Sequence, residues 1–264
     1  ALPGVRGPVA LIGLAEKGYM SVELLVEVEG GHSSTPPRET AVGILARAIR
    51  RLEENPFPAR LDGPPRLLVE SLAPHMSFGM RLVTANLWLF EGVVTRLMAG
   101  SPETNAAVRT TTAPTMIQAG VKDNILPRQA RAVVNFRILP GDTGRDILRH
   151  VERTVNDARV RVEVFGGTSN EPSPVSRIDG WGFGQIRAAV QEVFPGTGVA
   201  PFLTLGGTDS KHFVDVADDV YRFAPIWYRP ELAGGVHGAD ERIPEADYLG
   251  MVAFYYRLLE RSGG

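Results

Sequence analysis

Cysteine is absent from the sequence, so the chain can form no disulfide and its redox compartment cannot be inferred from thiol content. No uninterrupted apolar run approaches the roughly 20 residues that a membrane-spanning helix requires, and we expect no membrane span. Excess charge is also missing: 28 Lys and Arg residues stand against 30 Asp and Glu residues, a net charge of -2. This balance gives no electrostatic reason to expect nucleic acid as a partner. The compartment stays undetermined.

The segment Tyr19–Glu29 predicts the strand around which the rest of the chain is arranged. Its apolar residues alternate with mostly polar ones, which is the pattern of a strand buried on one face. The strand ends in a Gly-Gly dipeptide followed directly by His32. A loop histidine is by default a solvated polar residue, but loops held by rigid elements often carry functional residues. His32 is therefore a candidate catalytic residue.

Residues 18–166 predict a ferredoxin-like domain. Strand, helix, strand, strand, helix and strand follow one another, which is the split βαβ order of an antiparallel sheet with helices on one face. A helical insertion of about residues 56–112 interrupts this order after the first helix. Because the residues on both sides of this domain have a different, α/β character, we interpret it as an inserted lid.

Within the insertion, residues 56–67 are rich in proline and glycine and are predicted to be a loop. One helix is predicted from Gly79 to Met98 by its apolar spacing. The second helix of the lid begins after Thr143 with a capping pattern, and His150 is predicted on the exposed face of that helix.

The flanking residues, 1–17 and 167–264, are predicted to form parts of an α/β domain. Short apolar runs suit strands that are buried on both faces, as in a parallel sheet. The expected fold class is therefore α/β, with an α+β lid whose two crossings lie at Gly18 and at Gly166-Gly167. The predicted strands lie at Pro8–Gly13, Pro201–Leu205 and Val220–Ala224, and the C-terminal helix is predicted to bury Leu249, Val252, Tyr256 and Leu259.

Two further glycine-containing segments are candidate sites. Gly206-Gly207-Thr208-Asp209 follows a predicted strand, so its backbone N–H groups are suited to hold an anion such as a carboxylate. The alternative is a polar turn in which Asp209 caps its own backbone. His237 is followed by glycine and then by acidic residues, which suits a metal ligand, although one imidazole does not make a zinc site. Those acidic residues could equally stabilise the start of the last helix.

Asn124 and Arg137 form the third candidate site. The planar guanidinium of arginine suits a bidentate grip on a carboxylate, and asparagine adds a neutral donor. The alternative for Arg137 is a surface salt bridge.

The sequence resembles the zinc-dependent aminoacylase, glutamate carboxypeptidase and carnosinase family over essentially its whole length. Ala15-Glu16-Lys17-Gly18 and the helical insertion resemble most closely the branch of Gly-Xaa carboxypeptidases and N-acyl-amino-acid hydrolases. The motifs that carry the resemblance occur in the order of the family: Gly31-His32-Ser33-Ser34 with Pro36, Asn124-Ile125-Leu126-Pro127, Arg137, Gly206-Gly207-Thr208-Asp209 and His237.

The resemblance implies a hydrolase with two zinc ions and a homodimer formed through the lid. Its substrate would be an N-acyl amino acid or a small peptide with a free carboxylate. The roles implied are oxyanion stabilisation in the partner's active site for His32, carboxylate binding for Asn124 and Arg137, lining of the pocket for Gly207 and Thr208, and zinc ligation for His237.

The departures from the family pattern are informative as well. The family's first metal ligands, a His-x-Asp, do not occur in the sequence, and the only Glu-Glu pair, Glu53-Glu54, ends a predicted lid helix. The chain therefore resembles only the C-terminal part of such an enzyme, and we expect that it does not hold the two zinc ions alone. Two hypotheses stay open: a portion of a zinc-dependent amidohydrolase, or a non-catalytic dimerisation or ligand-binding module without a metal centre. The acyl group and the amino-acid specificity are not determined by these residues.

Overall fold

The computed structural model describes residues 5–229 and 238–263. The strands are β1 (Val9–Glu16), β2 (Gly18–Glu27), β3 (Gly31–His32), β4 (Thr111–Gln118), β5 (Ile125–Leu126), β6 (Gln129–Ile138), β7 (Val160–Asn170) and β8 (Gly198–Thr204). The α-helices are α1 (Ala41–Glu54), α2 (Gly63–Leu72), α3 (Phe78–Ala85), α4 (Leu87–Met98), α5 (Pro102–Val108), α6 (Gly144–Val155), α7 (Trp181–Val193) and α8 (Glu245–Ser262). Short 3-10 helices lie at Ala73–His75 and Asp209–Phe213.

The lid contains an antiparallel sheet in the order β4-β6-β2-β7. The alternation in β2 and β6 places one apolar set on the face that α1 and α6 cover, so the core lies between the sheet and these two helices. This is the ferredoxin-like arrangement, and the predicted fold class is confirmed. The largest fully buried side chains of this core are Phe136, Ile138, Leu24, Ile44, Leu45 and Leu52.

Local capping determines where the two lid helices begin. Thr40 accepts a hydrogen bond from the amide of Gly43 before α1. Thr143 and Asp146 form a complete capping box before α6, as their spacing predicts. Asn156 ends α6 in the left-handed conformation, with a φ of 42°, which asparagine adopts more readily than most residues.

The α/β part is built on β1 and β8, which pair in parallel. The helices α7 and α8 pack together, and Phe254 of α8 is buried against Ala189 and Val190 of α7. The two sheets share no strand among the described residues. The domain limits predicted from the sequence (1–17, 18–166 and 167–264) stay a prediction.

The helical insertion differs from its predicted outline. Its first helix, α2, begins at Gly63, inside the segment predicted to be a loop, because Pro64 and Pro65 occupy the first turn, where a missing N–H costs nothing. The single helix predicted from Gly79 to Met98 is two helices that meet at Asn86, whose backbone is not helical. The helix α2 packs beside β8 and places Leu67 against the core of the α/β part.

His150 is not on the exposed face of α6, as the sequence predicted, but is only 8% exposed. Its Nε2 lies 3.0 Å from the carbonyl oxygen of Asn55, and its ring centre lies 4.0 Å from that of Phe57. The segment after α1 covers this side of α6, which no pattern within α6 itself reveals. Burial lowers the pKa of His150.

Three predictions for the α/β part and its crossings also change. The residues predicted to be buried on α8 are more than half exposed, because α8 turns Phe254 rather than those residues toward α7. The run Val220–Ala224 forms no strand; it makes a single bridge between Gly13 and Arg222. The strand β7 continues past the predicted crossing at Gly166-Gly167 to Asn170. The residues corrected on α8 are Leu249, Val252, Tyr256 and Leu259.

Lys17, between β1 and β2, is only 3% exposed. Its backbone amide donates to the carbonyl of Thr204 at 3.0 Å. Its ammonium group donates to the carbonyls of Ala106 and Arg109, both at 2.8 Å. These carbonyls lie at the C-terminal end of α5, where the helix dipole favours a cation. One side chain therefore ties the helical insertion to the crossing between the two sheets.

We expect Lys17 to make stability depend on pH. Burial lowers the pKa of Lys17 from 10.5 to about 7, the charge of Arg137 acts in the same direction, and Asp142 opposes it. Between these two pH values the unfolded chain binds more protons than the native chain, so the free energy of unfolding should rise with pH. From pH 7 to pH 9 the rise should be about 2 kcal/mol. Urea unfolding at the two pH values measures it.

Lys17→Met should remove this rise, because methionine retains an apolar chain and carries no proton. The matched control is Lys122→Met, which changes an exposed lysine and should leave the rise intact. An equal rise in wild type and in Lys17→Met would contradict the assignment.

Candidate functional site

His32 lies in β3, opposite Ile125 of β5. The amide of Ser33 donates to the carbonyl of Asn124 at 3.2 Å, so His32 and Asn124 lie at the same end of the lid. The amide of Ser34 donates to Nδ1 of His32 at 3.1 Å. In this geometry Nδ1 carries no proton, and the neutral ring keeps its proton on Nε2. The imidazole is exposed and is suited to donate a hydrogen bond outward.

The turn that carries His32 depends on Gly30. A β-carbon at this position would lie 2.8 Å from the carbonyl oxygen of Leu126 and 2.6 Å from Cγ of Arg128, closer than packed atoms allow. The amide of Val28 donates to the carbonyl of Arg128 at 2.9 Å, so the two chain segments stay paired up to the turn. The first glycine of the Gly-Gly dipeptide is therefore required by a close backbone approach.

Arg137 lies at the other end of the lid sheet. It is opposite Tyr19 of β2, and its guanidinium carbon lies 4.9 Å from the centre of the Tyr19 ring, a cation–π contact. Gln129, the first residue of β6, is eight positions before Arg137, which corresponds to roughly 27 Å along a strand. Asn124 comes before Gln129 in the chain. Within one chain, therefore, the structure brings Asn124 to His32 and does not bring it to Arg137.

A cleft of about 340 Å³ lies beside Tyr19, between the crossing to the lid and the loop after β8. Arg137 stacks on Tyr19, which lines this cleft, but Arg137 itself is not one of the lining residues. Of the candidate site residues, Gly207 lines the cleft, whereas Arg137 is linked to it only through its contact with Tyr19. An apolar pocket against β1 and α7 contains none of the candidate residues. The cleft is lined by Glu16, Lys17, Tyr19, Gly207, Lys211, Val214 and residues 169–174.

The loop Gly206–Thr208 connects β8 to the following 3-10 helix. Thr208 is the N-cap of this helix, since its Oγ1 accepts from the amide of Ser210 at 3.2 Å. The polar turn considered from the sequence is present, with Thr208 rather than Asp209 as the capping residue. A β-carbon at Gly206 or Gly207 would meet nothing within 4 Å, so the loop is open at both glycines.

Glu16 and Arg222 are buried charged residues next to this loop, and the sequence analysis missed both. Nε of Arg222 lies 3.7 Å from Oε2 of Glu16, and their side chains are 6% and 5% exposed. Burial lowers the pKa of Arg222, and the charge of Glu16 opposes this shift. The available signal was the position of Glu16, an acidic residue that lies three positions after the end of the apolar run Pro8–Gly13, which was predicted to be buried on both faces.

The described residues do not provide the ligand set of a zinc centre. No group of three or more His, Cys, Asp or Glu side chains among them is placed to hold a metal ion, whereas zinc takes about four ligands. His237, the predicted ligand, lies outside the described residues. In the same part of the chain, no helix combines the length and the apolar character needed to cross a bilayer.

Comparison with known proteins gives one family match and a set of related sequences. Residues 14–163 match the model of the M20 peptidase dimerisation domain. The chain is 43% identical over 260 residues to the N-fatty-acyl-amino acid synthase/hydrolase PM20D1.1 of Danio rerio, covering 98% of this chain and 50% of that protein. It is 38% identical to the probable carboxypeptidase S-like 2 of Dictyostelium discoideum, again covering 98% of this chain and 50% of the relative. The chain thus spans about half the length of the curated relatives it matches.

Solved structures show the same fold at low sequence identity. Human carnosine dipeptidase 1 superposes with a TM-score of 0.62 at 14% identity, covering 96% of this chain and 57% of that one. A metallo-carboxypeptidase of the M20 family from Sulfolobus solfataricus superposes with a TM-score of 0.64 at 14% identity, covering 97% of this chain and 62% of that one.

Proposed function

Because this chain belongs to the family of M20 peptidase dimerisation domains, we propose that it is the C-terminal portion of a zinc-dependent amidohydrolase. The longer protein cleaves the amide bond of an N-acyl amino acid or a small peptide that has a free carboxylate. The observation that carries this proposal is the 43% identity to an N-fatty-acyl-amino acid synthase/hydrolase over 98% of the chain. The alternative, a non-catalytic module, has no comparable observation in its favour.

The free carboxylate of the substrate binds in the cleft beside Tyr19. Gly207 and Lys211 line this cleft, and Arg137 stacks on Tyr19, another lining residue. The ammonium group of Lys211 and the guanidinium of Arg137 are suited to bind a carboxylate, because charge-assisted hydrogen bonds are stronger than neutral ones. The two carboxylates that also line the cleft have partners of their own, Arg222 for Glu16 and the amide of Gly144 for Glu171. Arg137, Gly207 and Thr208 are therefore assigned to substrate binding.

His32 and Asn124 act in the cleft of a second copy of the chain. They lie at the opposite end of the lid from Arg137 and cannot reach the same substrate within one chain, because the strands between them are rigid. A homodimer formed through the dimerisation domain offers a way to bring the two ends together. The Nε2 proton of His32 then stabilises the oxyanion that develops on the substrate carbonyl, a contribution of about 3–4 kcal/mol in comparable sites.

Zinc belongs to the longer protein in this proposal. His237 is assigned as one ligand, and the remaining ligands are assigned to residues outside this chain. The described residues support no metal centre of their own.

Arg137→Ala in the longer protein should raise KM for substrates with a free carboxylate by about 30-fold or more, because one partner of a charge-assisted pair is lost. Analogues in which that carboxylate is amidated should be affected little. The matched control is Arg131→Ala, which removes an exposed arginine from the same strand and should leave both KM values unchanged. Equal losses with both substrate types would indicate a structural role for Arg137.

His32→Ala should lower kcat by about two to three orders of magnitude, since an oxyanion donor is removed. Its zinc content should equal that of wild type by elemental analysis. Loss of zinc or an unchanged kcat would contradict the assignment.

Mixing His32→Ala subunits with Arg137→Ala subunits tests whether the site is shared. In a mixed dimer, one cleft has Arg137 from the first subunit and His32 from the second. Random re-pairing should therefore restore up to about a quarter of wild-type activity at low substrate concentration. If both groups act within one chain, no activity returns.

The chain of 264 residues should hold no stoichiometric zinc after dialysis, because one predicted ligand binds zinc too weakly to retain it. Elemental analysis of the zinc content per chain, measured for this chain and for the longer protein under the same conditions, tests this expectation. Two zinc ions per chain together with amide hydrolysis would contradict the proposal.

A further inference from the structure

One carboxylate oxygen of Glu16 collects three hydrogen bonds from the segment that follows β8. Oε2 accepts from the amide of Thr208 at 3.0 Å, from Oγ1 of Thr208 at 2.7 Å and from Oγ of Ser210 at 3.0 Å. Hydrogen bonds to a charged acceptor are about twice as strong as neutral ones. The segment is therefore attached to the end of β1 at Thr208 and Ser210.

Arg222 completes this attachment from the other side. Its Nε donates to Oγ of Ser210 at 2.8 Å, and its Nη1 donates to the carbonyl of Val220 at 2.6 Å. The Glu16 carboxylate balances its buried charge at 3.7 Å. Because an unbalanced buried charge is costly, neutralising Glu16 would disturb Arg222 and the loop together.

The two glycines of the loop have no comparable support. A β-carbon at either one would touch nothing within 4 Å, so side-chain packing does not fix the backbone there. Gly207 lines the cleft, and Glu16 lines it as well. The position of Gly207 in the cleft therefore depends on how firmly Thr208 is held.

We propose that Glu16 is a positioning residue for substrate binding: its buried carboxylate holds the Gly206–Thr208 loop in place against the cleft that takes the carboxylate of the substrate. This inference rests on the proposed function for the identity of the ligand. Glu16 itself takes no part in bond breaking and acts through Thr208 and Gly207.

Steady-state kinetics of the longer protein tests this role with Glu16→Gln and Thr208→Val. Each should raise KM for a substrate with a free carboxylate by about tenfold or more while changing kcat less than about threefold. Thr208→Ser keeps the hydroxyl donor and should restore KM. The KM of the double variant should be little higher than the KM of either single variant, because both substitutions remove the same contact.

The matched control is Thr110→Val, which removes another buried threonine hydroxyl that bonds a carboxylate, that of Asp142, away from the loop. A general loss of stability would lower kcat through a smaller active fraction in all variants and leave KM unchanged. An unchanged KM in Glu16→Gln, or equal KM effects in Thr110→Val, would overturn the proposal.

Amide hydrogen exchange of the longer protein tests the attachment without catalysis. In Glu16→Gln, peptides that cover residues 205–211 should exchange faster, whereas peptides that cover β6 should not. Unchanged exchange at 205–211 would overturn the role of Glu16 even if no substrate is turned over. A wild-type protein that hydrolyses no N-acyl amino acid would instead overturn the proposed function, with the exchange result still deciding the attachment.

Discussion

The buried dipeptide Glu16-Lys17 is the constraint on which the arrangement of this chain depends. Its two side chains serve different partners: Glu16 bonds the loop after β8, and Lys17 bonds the end of α5. Both charges are almost fully removed from water, a state that proteins tolerate only when each charge has partners. Arg222 balances the first charge, and backbone carbonyls receive the second. The lid, its helical insertion and the Gly206–Thr208 loop are therefore all held at the crossing between β1 and β2.

The length and stiffness of the lid sheet have a direct consequence for the site. β2 and β6 are ten residues each and pair along their whole length, so His32 and Arg137 are held at opposite ends. No side-chain motion closes a separation of this size. If both residues serve one reaction, a second subunit must supply one of them. Dimerisation would then be needed to complete the catalytic site as well as to join the subunits.

The helical insertion links the two parts of the chain a second time. It leaves the lid after α1, packs α2 beside β8 and returns to the lid through α5, where Lys17 holds it. A lid attached only by its two crossings could turn about them. The additional contact through Leu67 and the bonds of Lys17 oppose such a motion, since both would have to break.

The sequence by itself determined the elements whose signals are local. Alternation identified β2 and β6, the capping box identified the start of α6, and the order of the motifs identified the family. Tertiary structure alone decided which residues meet: that His150 is covered by the segment after α1, that α8 turns Phe254 inward, and that Asn124 lies beside His32 instead of Arg137. The physical reason is that periodicity and capping depend on neighbours within one or two turns of chain. Burial, pairing of charges and the sharing of a site depend on segments that only folding brings together.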